Sequence, residues 1–194
     1  MNQNKKQQGI VFVVSAPSGT GKTTIINEFL KKHKKDFVLS VSVTTRNKRN
    51  GEVDGKDYHF FSREKFKRFI KGKKFLEYAD VLGNFYGTLS DTVYGSTKKG
   101  KNVIMDIDVQ GADSMREKIK NCVTIFITPP SYAELKKRLL KRRTDSVQEI
   151  KRRLALAKKE LKERKKYDYI IQNKDLKKSV ARLETIVTKE KTIQ

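Results

Sequence analysis

Short apolar, β-branched runs alternate along the chain with longer stretches in which apolar positions recur at helical spacing. The runs lie around Val11 and Val13, then at 37–43, 103–107, 123–128 and 169–171. Strands that are apolar throughout and alternate with helices predict a parallel sheet covered on both faces. Two helix starts are written in the chemistry. Ser131-Tyr-Ala-Glu134 and Ser146-Val-Gln-Glu149 have the capping-box spacing, in which a hydroxyl and a carboxylate satisfy backbone N–H groups that a first turn leaves over.

From residue 44 to 100 the alternation stops. Gly and Asn cluster there, aromatic residues are dense, and only the stretches near 62–71 and 90–99 carry helical spacing, so an insert on the parallel core is expected. A second departure falls within 136–166. Arg138, Arg142, Arg143, Arg152 and Arg153 gather around Thr144-Asp-Ser146, a polar break between two helices. Taken alone, such a charge run reads as a solvated cationic helix hairpin. The expected organisation is a polar tail over 1–9, a core from 10–43, 101–137 and 154–194, the insert over 44–100, and a separate helical segment over 138–153.

A chain of 194 residues suffices for one domain with inserts and a substantial apolar interior. Lys and Arg number 45 against 22 acidic residues, a net charge of +23, which predicts anionic partners or substrates without naming the anion. Part of that excess reads equally as lysine on solvated faces. Recognisable nucleic-acid modules are missing and the aromatics form no stacking platform, so no dedicated nucleic-acid partner is expected. The single cysteine, Cys122, stands in an apolar run and is expected to be buried and inert. Residues 1–8 are polar, and nothing approaches the roughly 18 apolar residues of a membrane span, so a cytoplasmic location without a membrane partner is expected.

The first strand runs directly into Ala16-Pro-Ser-Gly-Thr-Gly-Lys-Thr23, followed by Thr24. This fits the phosphate-loop pattern G-x-x-x-x-G-K-[ST], with Ala16 in place of the first glycine. Gly19 and Gly21 allow the sharp turn that points successive N–H groups into a concavity, and the helix starting near Lys22 adds its positive end. Ala16, Pro17, Ser18, Gly19, Thr20, Gly21, Lys22, Thr23 and Thr24 therefore form the candidate ATP-binding segment. Lys22 would reach the β and γ phosphates, and the Thr23 hydroxyl would ligate Mg2+. Kinases, GTPases and motor ATPases all share this loop. Asp108-Val-Gln-Gly111 resembles the D-x-x-G of GTPases, but Asn173-Lys-Asp-Leu176 fails their N-K-x-D because Leu176 replaces the aspartate.

The insert is more specific. Ser40-Val-Ser-Val-Thr-Thr-Arg46, Arg49, Gly51-Glu-Val-Asp-Gly-Lys-Asp-Tyr-His-Phe60, Phe75-Leu-Glu-Tyr78, Gly83-Asn-Phe-Tyr-Gly87 and Asp106-Ile-Asp-Val-Gln-Gly111 together resemble the guanylate kinase family. The agreement runs in order from about residue 10 to about residue 180. The resemblance implies a P-loop α/β core with a mixed α+β nucleoside-monophosphate-binding insert and a helical lid at 138–153. It implies ATP-dependent phosphorylation of GMP, and of dGMP, to the diphosphate in purine nucleotide metabolism, by a monomer or homodimer.

Residue by residue, the resemblance places Arg46, Arg49, Tyr58 and Tyr86 on the phosphate of GMP. Planar guanidinium forks and a phenol suit a dianion. Read singly, the tyrosines would be half-buried sheet aromatics. Glu77, a lone carboxylate among apolar neighbours, reads in isolation as a solvent-facing strand residue. The resemblance instead makes it the acceptor for guanine N1–H and N2–H2, with Ser42 donating to O6 and Asp108 also at the base. Thr88 stands where the family commonly has serine. Asp106 is directed toward the Mg2+ and phosphate region, binding the metal directly or through water. Arg138, Arg142 and Arg153 match the lid and lid-flanking arginines, which act with Lys22 and Arg46 in catalysis. Asn173 matches the position beside the adenine. A guanylate-kinase-like interaction module would keep this fold but lose the phosphate loop, and here Gly21, Lys22 and Thr23 are all present.

Overall fold

A computed structural model describes residues 7–119, 122–141 and 146–193. In chain order the elements begin with β1 (Val11–Ser15), α1 (Lys22–Lys32), β2 (Phe37–Ser40), β3 (Val43–Thr44) and β4 (His59–Phe60). Then come α2 (Arg63–Lys71), β5 (Phe75–Val81), β6 (Asn84–Leu89), α3 (Ser90–Lys98), β7 (Asn102–Asp106) and α4 (Val109–Lys118). Last are β8 (Cys122–Thr128), α5 (Tyr132–Leu140), α6 (Val147–Glu163), β9 (Tyr169–Gln172) and α7 (Leu176–Ile193). Five strands in the order β2-β7-β1-β8-β9 form a sheet flanked by helices, with β2–β7 and β8–β9 parallel, as the apolar runs predict. All five residues of β1 are buried, which is why its pattern is continuous rather than alternating.

The chain divides into two compact units, one built from residues up to Val13 with Lys34–Cys122, the other from Val14–His33 and Val123 onward. The insert expected over 44–100 falls wholly within the first unit. There a second sheet runs β4-β3-β6-β5, with β3–β4 parallel and the other pairs antiparallel. The apolar run at 37–43 is not one strand. β2 ends at Ser40, and Val43 already belongs to the second sheet, opposite Gly87. The two helices anticipated in the insert are α2 and α3. Phe66 of α2 is fully buried and stacks on Phe75 at 4.3 Å and on Phe85 at 5.4 Å, which fastens the helix to β5 and β6.

In the second unit, Leu135 and Leu139 of α5 pack with Ile150 and Ala157 of α6, so the two helices flanking the expected lid share a small core. Ser146 and Glu149 complete the capping box of α6 in both directions. Ser131 accepts from Glu134 N at 3.1 Å, but the Glu134 carboxylate turns to Arg138 Nε at 3.0 Å, so α5 keeps only half of its box. Cys122, expected to be buried, is half-buried at the start of β8. Among the described residues no helix is long and apolar enough to cross a membrane.

Replacing Phe66 with Ala removes the ring that three aromatic contacts enclose. Thermal or denaturant unfolding of Phe66→Ala is expected to show a loss of about 3–5 kcal/mol, at the upper end for a buried phenylalanine.

Candidate functional site

In the second unit, β1 ends in the phosphate loop. Gly19 and Gly21 have φ of 88° and 94°, a left-handed conformation that only glycine adopts without strain. Among the described residues the non-glycine positive-φ positions are Lys73 and Leu82, so Ala16 takes an ordinary conformation and its methyl group costs nothing. Gly21 is also the N-cap of α1. No side chain caps that end, and no acidic residue stands in its first turn, so its positive end suits an anion. Lys22 Nζ lies 3.5 Å from Val14 O, and Thr23 and Thr24 are exposed on the first turn.

Three distant side chains converge on this loop. Arg153 of α6 donates to Ser18 Oγ at 3.1 Å, and Arg138 of α5 donates to Thr20 O at 3.2 Å. Asn173, just after β9, donates to Thr20 O at 2.7 Å. Two of the three arginines expected to act on the triphosphate are thus at the loop. Arg142 lies outside the described residues.

In the first unit the candidate acceptor residues fall into two clusters. In the first cluster, Glu77 is 3 % exposed and accepts from Thr88 Oγ1 at 2.6 Å. Read alone it would face solvent. It does not, because the β5–β6 register shifts between Phe75 and Glu77, so that Leu76 and Glu77 are both buried although they are consecutive. Gly111 makes room for it, since a Cβ there would lie 2.7 Å from Glu77 Oε2. Burial pushes the Glu77 carboxyl up to about 7, and the Asp108 charge adds to this against the Thr88 hydrogen bond. Asp108 caps α4, accepting from Gly111 N at 2.8 Å, and its other oxygen accepts from Gln110 Nε2 at 3.2 Å. Ser42 is buried in the link between β2 and β3, and its carbonyl accepts from His59 N at 2.9 Å.

In the second cluster, Arg46 is gripped by Glu52 through two bonds of 2.8 and 3.0 Å and lies over the Tyr58 ring at 5.3 Å. The Tyr58 and Tyr86 rings meet edge to face at 5.9 Å. Burial works against the Arg46 charge, but the bond to Glu52, with Tyr86 beside it, holds its pKa above the ordinary value. Burial raises the Tyr58 phenol, and the Asp106 charge raises it further. Arg49 is exposed, and its backbone N–H is held by Glu52 at 2.7 Å. Glu52 therefore holds the guanidinium of Arg46 and the backbone of Arg49. Sequence reasoning gave it no role, and the irregular turn between it and Arg46 offers no spacing to signal the pair.

Among the described residues no three His, Cys, Asp or Glu side chains converge as a metal cage. The Thr23 hydroxyl in the second unit and the Asp106 carboxylate in the first are each hard oxygen donors of the type Mg2+ takes, an ion that keeps water and phosphate among its ligands.

A parallel α/β core with a phosphate loop, in a chain that also carries an arginine–tyrosine cluster and a buried carboxylate, defines a P-loop nucleotide kinase. The family model described as "Guanylate kinase" matches residues 8–190, and the chain belongs to that family. It is 45% identical over 188 residues to a guanylate kinase of Clostridium perfringens, covering 97% of this chain and 87% of that one. With a guanylate kinase of Wolbachia pipientis it shares 46% identity over 190 residues, covering 96% and 92% of the two chains. The crystal structure of guanylate kinase from Anaplasma phagocytophilum superimposes with a TM-score of 0.80 at 36% identity, covering 95% of this chain and 87% of that one.

Because Glu77 keeps its proton up to about pH 7 when folded but only to about 4.5 when unfolded, the folded state binds more protons between those values. Stability therefore falls as pH rises from 4.5 to 7 and is recovered on acidification. Denaturant unfolding of Glu77→Gln is expected to lack this slope, the difference reaching a few kcal/mol at neutral pH, at about 1.4 kcal/mol per pKa unit.

Proposed function

We propose that this member of the guanylate kinase family transfers the γ-phosphoryl group of ATP to GMP, and to dGMP, giving ADP and the nucleoside diphosphate. The observation that carries the reading is Glu77, a carboxylate held out of water beside the Thr88 hydroxyl in the unit that also holds Arg46, Tyr58 and Tyr86. Guanine presents N1–H and N2–H2 on one edge, a pair of donors that a carboxylate can accept. Adenine lacks that pair and would leave the buried acceptor unsatisfied, which supports discrimination by orders of magnitude. Ser42 and Asp108 would complete the contacts to the base.

The acceptor phosphate would be held by Arg46, Arg49, Tyr58 and Tyr86, and the triphosphate of ATP by Ala16 to Thr24. An oxygen of the GMP phosphate attacks the γ phosphorus in line, and the bond to the bridging oxygen of ADP breaks. The attacking oxygen is already ionised at neutral pH, so no general base is needed. Catalysis then reduces to positioning and charge neutralisation. Lys22, Arg138 and Arg153 would neutralise the transferring group, with Arg142 joining them from the lid. Thr23, and Asp106 directly or through water, would hold Mg2+, which would supply further neutralisation. We place the enzyme in the cytoplasm as a monomer or homodimer.

Lys22→Ala is expected to abolish transfer in an assay coupled to ADP release while leaving the melting temperature unchanged. A variant with near-normal turnover removes Lys22 from the mechanism. Glu77→Ala is expected to raise KM for GMP by tenfold or more, leaving KM for ATP within about twofold, on the scale of one unsatisfied buried polar group. Equal effects on the two nucleotides overturn base reading by Glu77.

A further inference from the structure

Asn173 is 8 % exposed, and both ends of its amide are engaged within the second unit. Its Nδ2 donates to Thr20 O at 2.7 Å, and its Oδ1 accepts from Ser179 Oγ at 3.1 Å. A carbonyl only accepts, so the nitrogen end must face Thr20. The neighbouring chain explains why the side chain sits there. Asn173 N bonds to Thr128 O at 2.8 Å, continuing the β8–β9 pairing, and Asp175 caps α7 by accepting from Lys178 N at 2.9 Å. That cap fixes the first turn of α7, from which buried Ser179 reaches back and shares its proton between Asn173 and Asp175 O at 2.7 Å. The amide also lies against Gly21, where a Cβ would come within 2.6 Å of Nδ2.

Thr20 O and the N–H of Gly21 belong to one planar peptide unit, in which carbonyl and N–H point in opposite directions. Pinning the carbonyl from one side therefore aims the N–H to the other. The rest of Thr20 is equally fixed, its N and Oγ1 both bonding Pro17 O at 3.2 and 2.6 Å. We propose that Asn173 is a positioning residue of the phosphate loop: by holding the Thr20 carbonyl it presents the Gly21 N–H to a phosphate oxygen, and it acts on the triphosphate rather than on the adenine. Ser179 supports it from behind. This rests on the reading of the loop as the ATP phosphate site. Arg138 shares the same carbonyl, so loss of Asn173 weakens the arrangement without orphaning the oxygen.

The test compares Asn173→Leu, uncharged and of similar shape, and Ser179→Ala with the wild-type chain, using calorimetry with ATP, inosine triphosphate and inorganic tripolyphosphate. The expected result for Asn173→Leu is about a tenfold loss of affinity that is the same for all three ligands, the scale of one buried hydrogen bond. In turnover, KM for ATP rises while KM for GMP stays unchanged. Ser179→Ala, which touches neither Thr20 nor Gly21, is expected to show the same base-independent loss at two- to threefold, and it decides the matter if Asn173→Leu fails to fold. A loss confined to ATP, with tripolyphosphate binding intact, would make Asn173 an adenine contact and overturn the proposal. So would unchanged affinities in folded variants. A wild-type chain that binds neither ATP nor tripolyphosphate overturns the reading of the loop itself, and this inference with it.

Discussion

Main-chain amides can hold a phosphate only if their peptide planes are aimed and fixed in advance, and the Thr20–Gly21 peptide is held in that way. Ser62, Asp108, Ser131 and Ser146 each cap a helix with a side-chain oxygen, while α1 begins at Gly21 with no such partner. Buried Thr20, turned in on Pro17 and held through its carbonyl by Arg138 and Asn173, fixes the peptide that leads into that helix.

The first unit solves a different problem, that of keeping charge away from water. Arg46 is matched by a two-point bond to Glu52 before any ligand arrives, so its cationic plane is fixed at little further entropic cost. Among the described residues Glu77 has no cationic partner of that kind at hydrogen-bond range. It accepts from the Thr88 hydroxyl, and its charge is penalised by burial. On the proposed reading, one cluster is preset to meet an anion and the other to meet hydrogen-bond donors.

Much of this was legible in the sequence where the signal is local. The strand–loop–helix of 11–32, the helices α2 and α3 and the serine caps of α5 and α6 depend on neighbours within a few residues, and each is where local chemistry puts it. What depends on a partner across space was not legible. The break of the run at 37–43 depends on β3 pairing with β6, and the burial of Glu77 on a register shift against the same strand. Half of the α5 capping box was lost because Arg138 competes for Glu134. The resemblance supplied Glu77 and the tyrosines as site residues, since isolated propensity reads them as ordinary strand positions. It assigned Asn173 by position alone, without the hydrogen bonds that tie it to Thr20 and Ser179.

The raised carboxyl of Glu77 has a thermodynamic corollary. Accepting from two guanine donors requires the ionised form, yet near neutrality burial keeps that group partly protonated. On the proposed reading, occupancy by the nucleotide ejects a fraction of a hydrogen ion into the medium. The heat measured for association then includes the ionisation enthalpy of whichever buffer takes it up, and differs between phosphate and Tris although the contacts formed are the same.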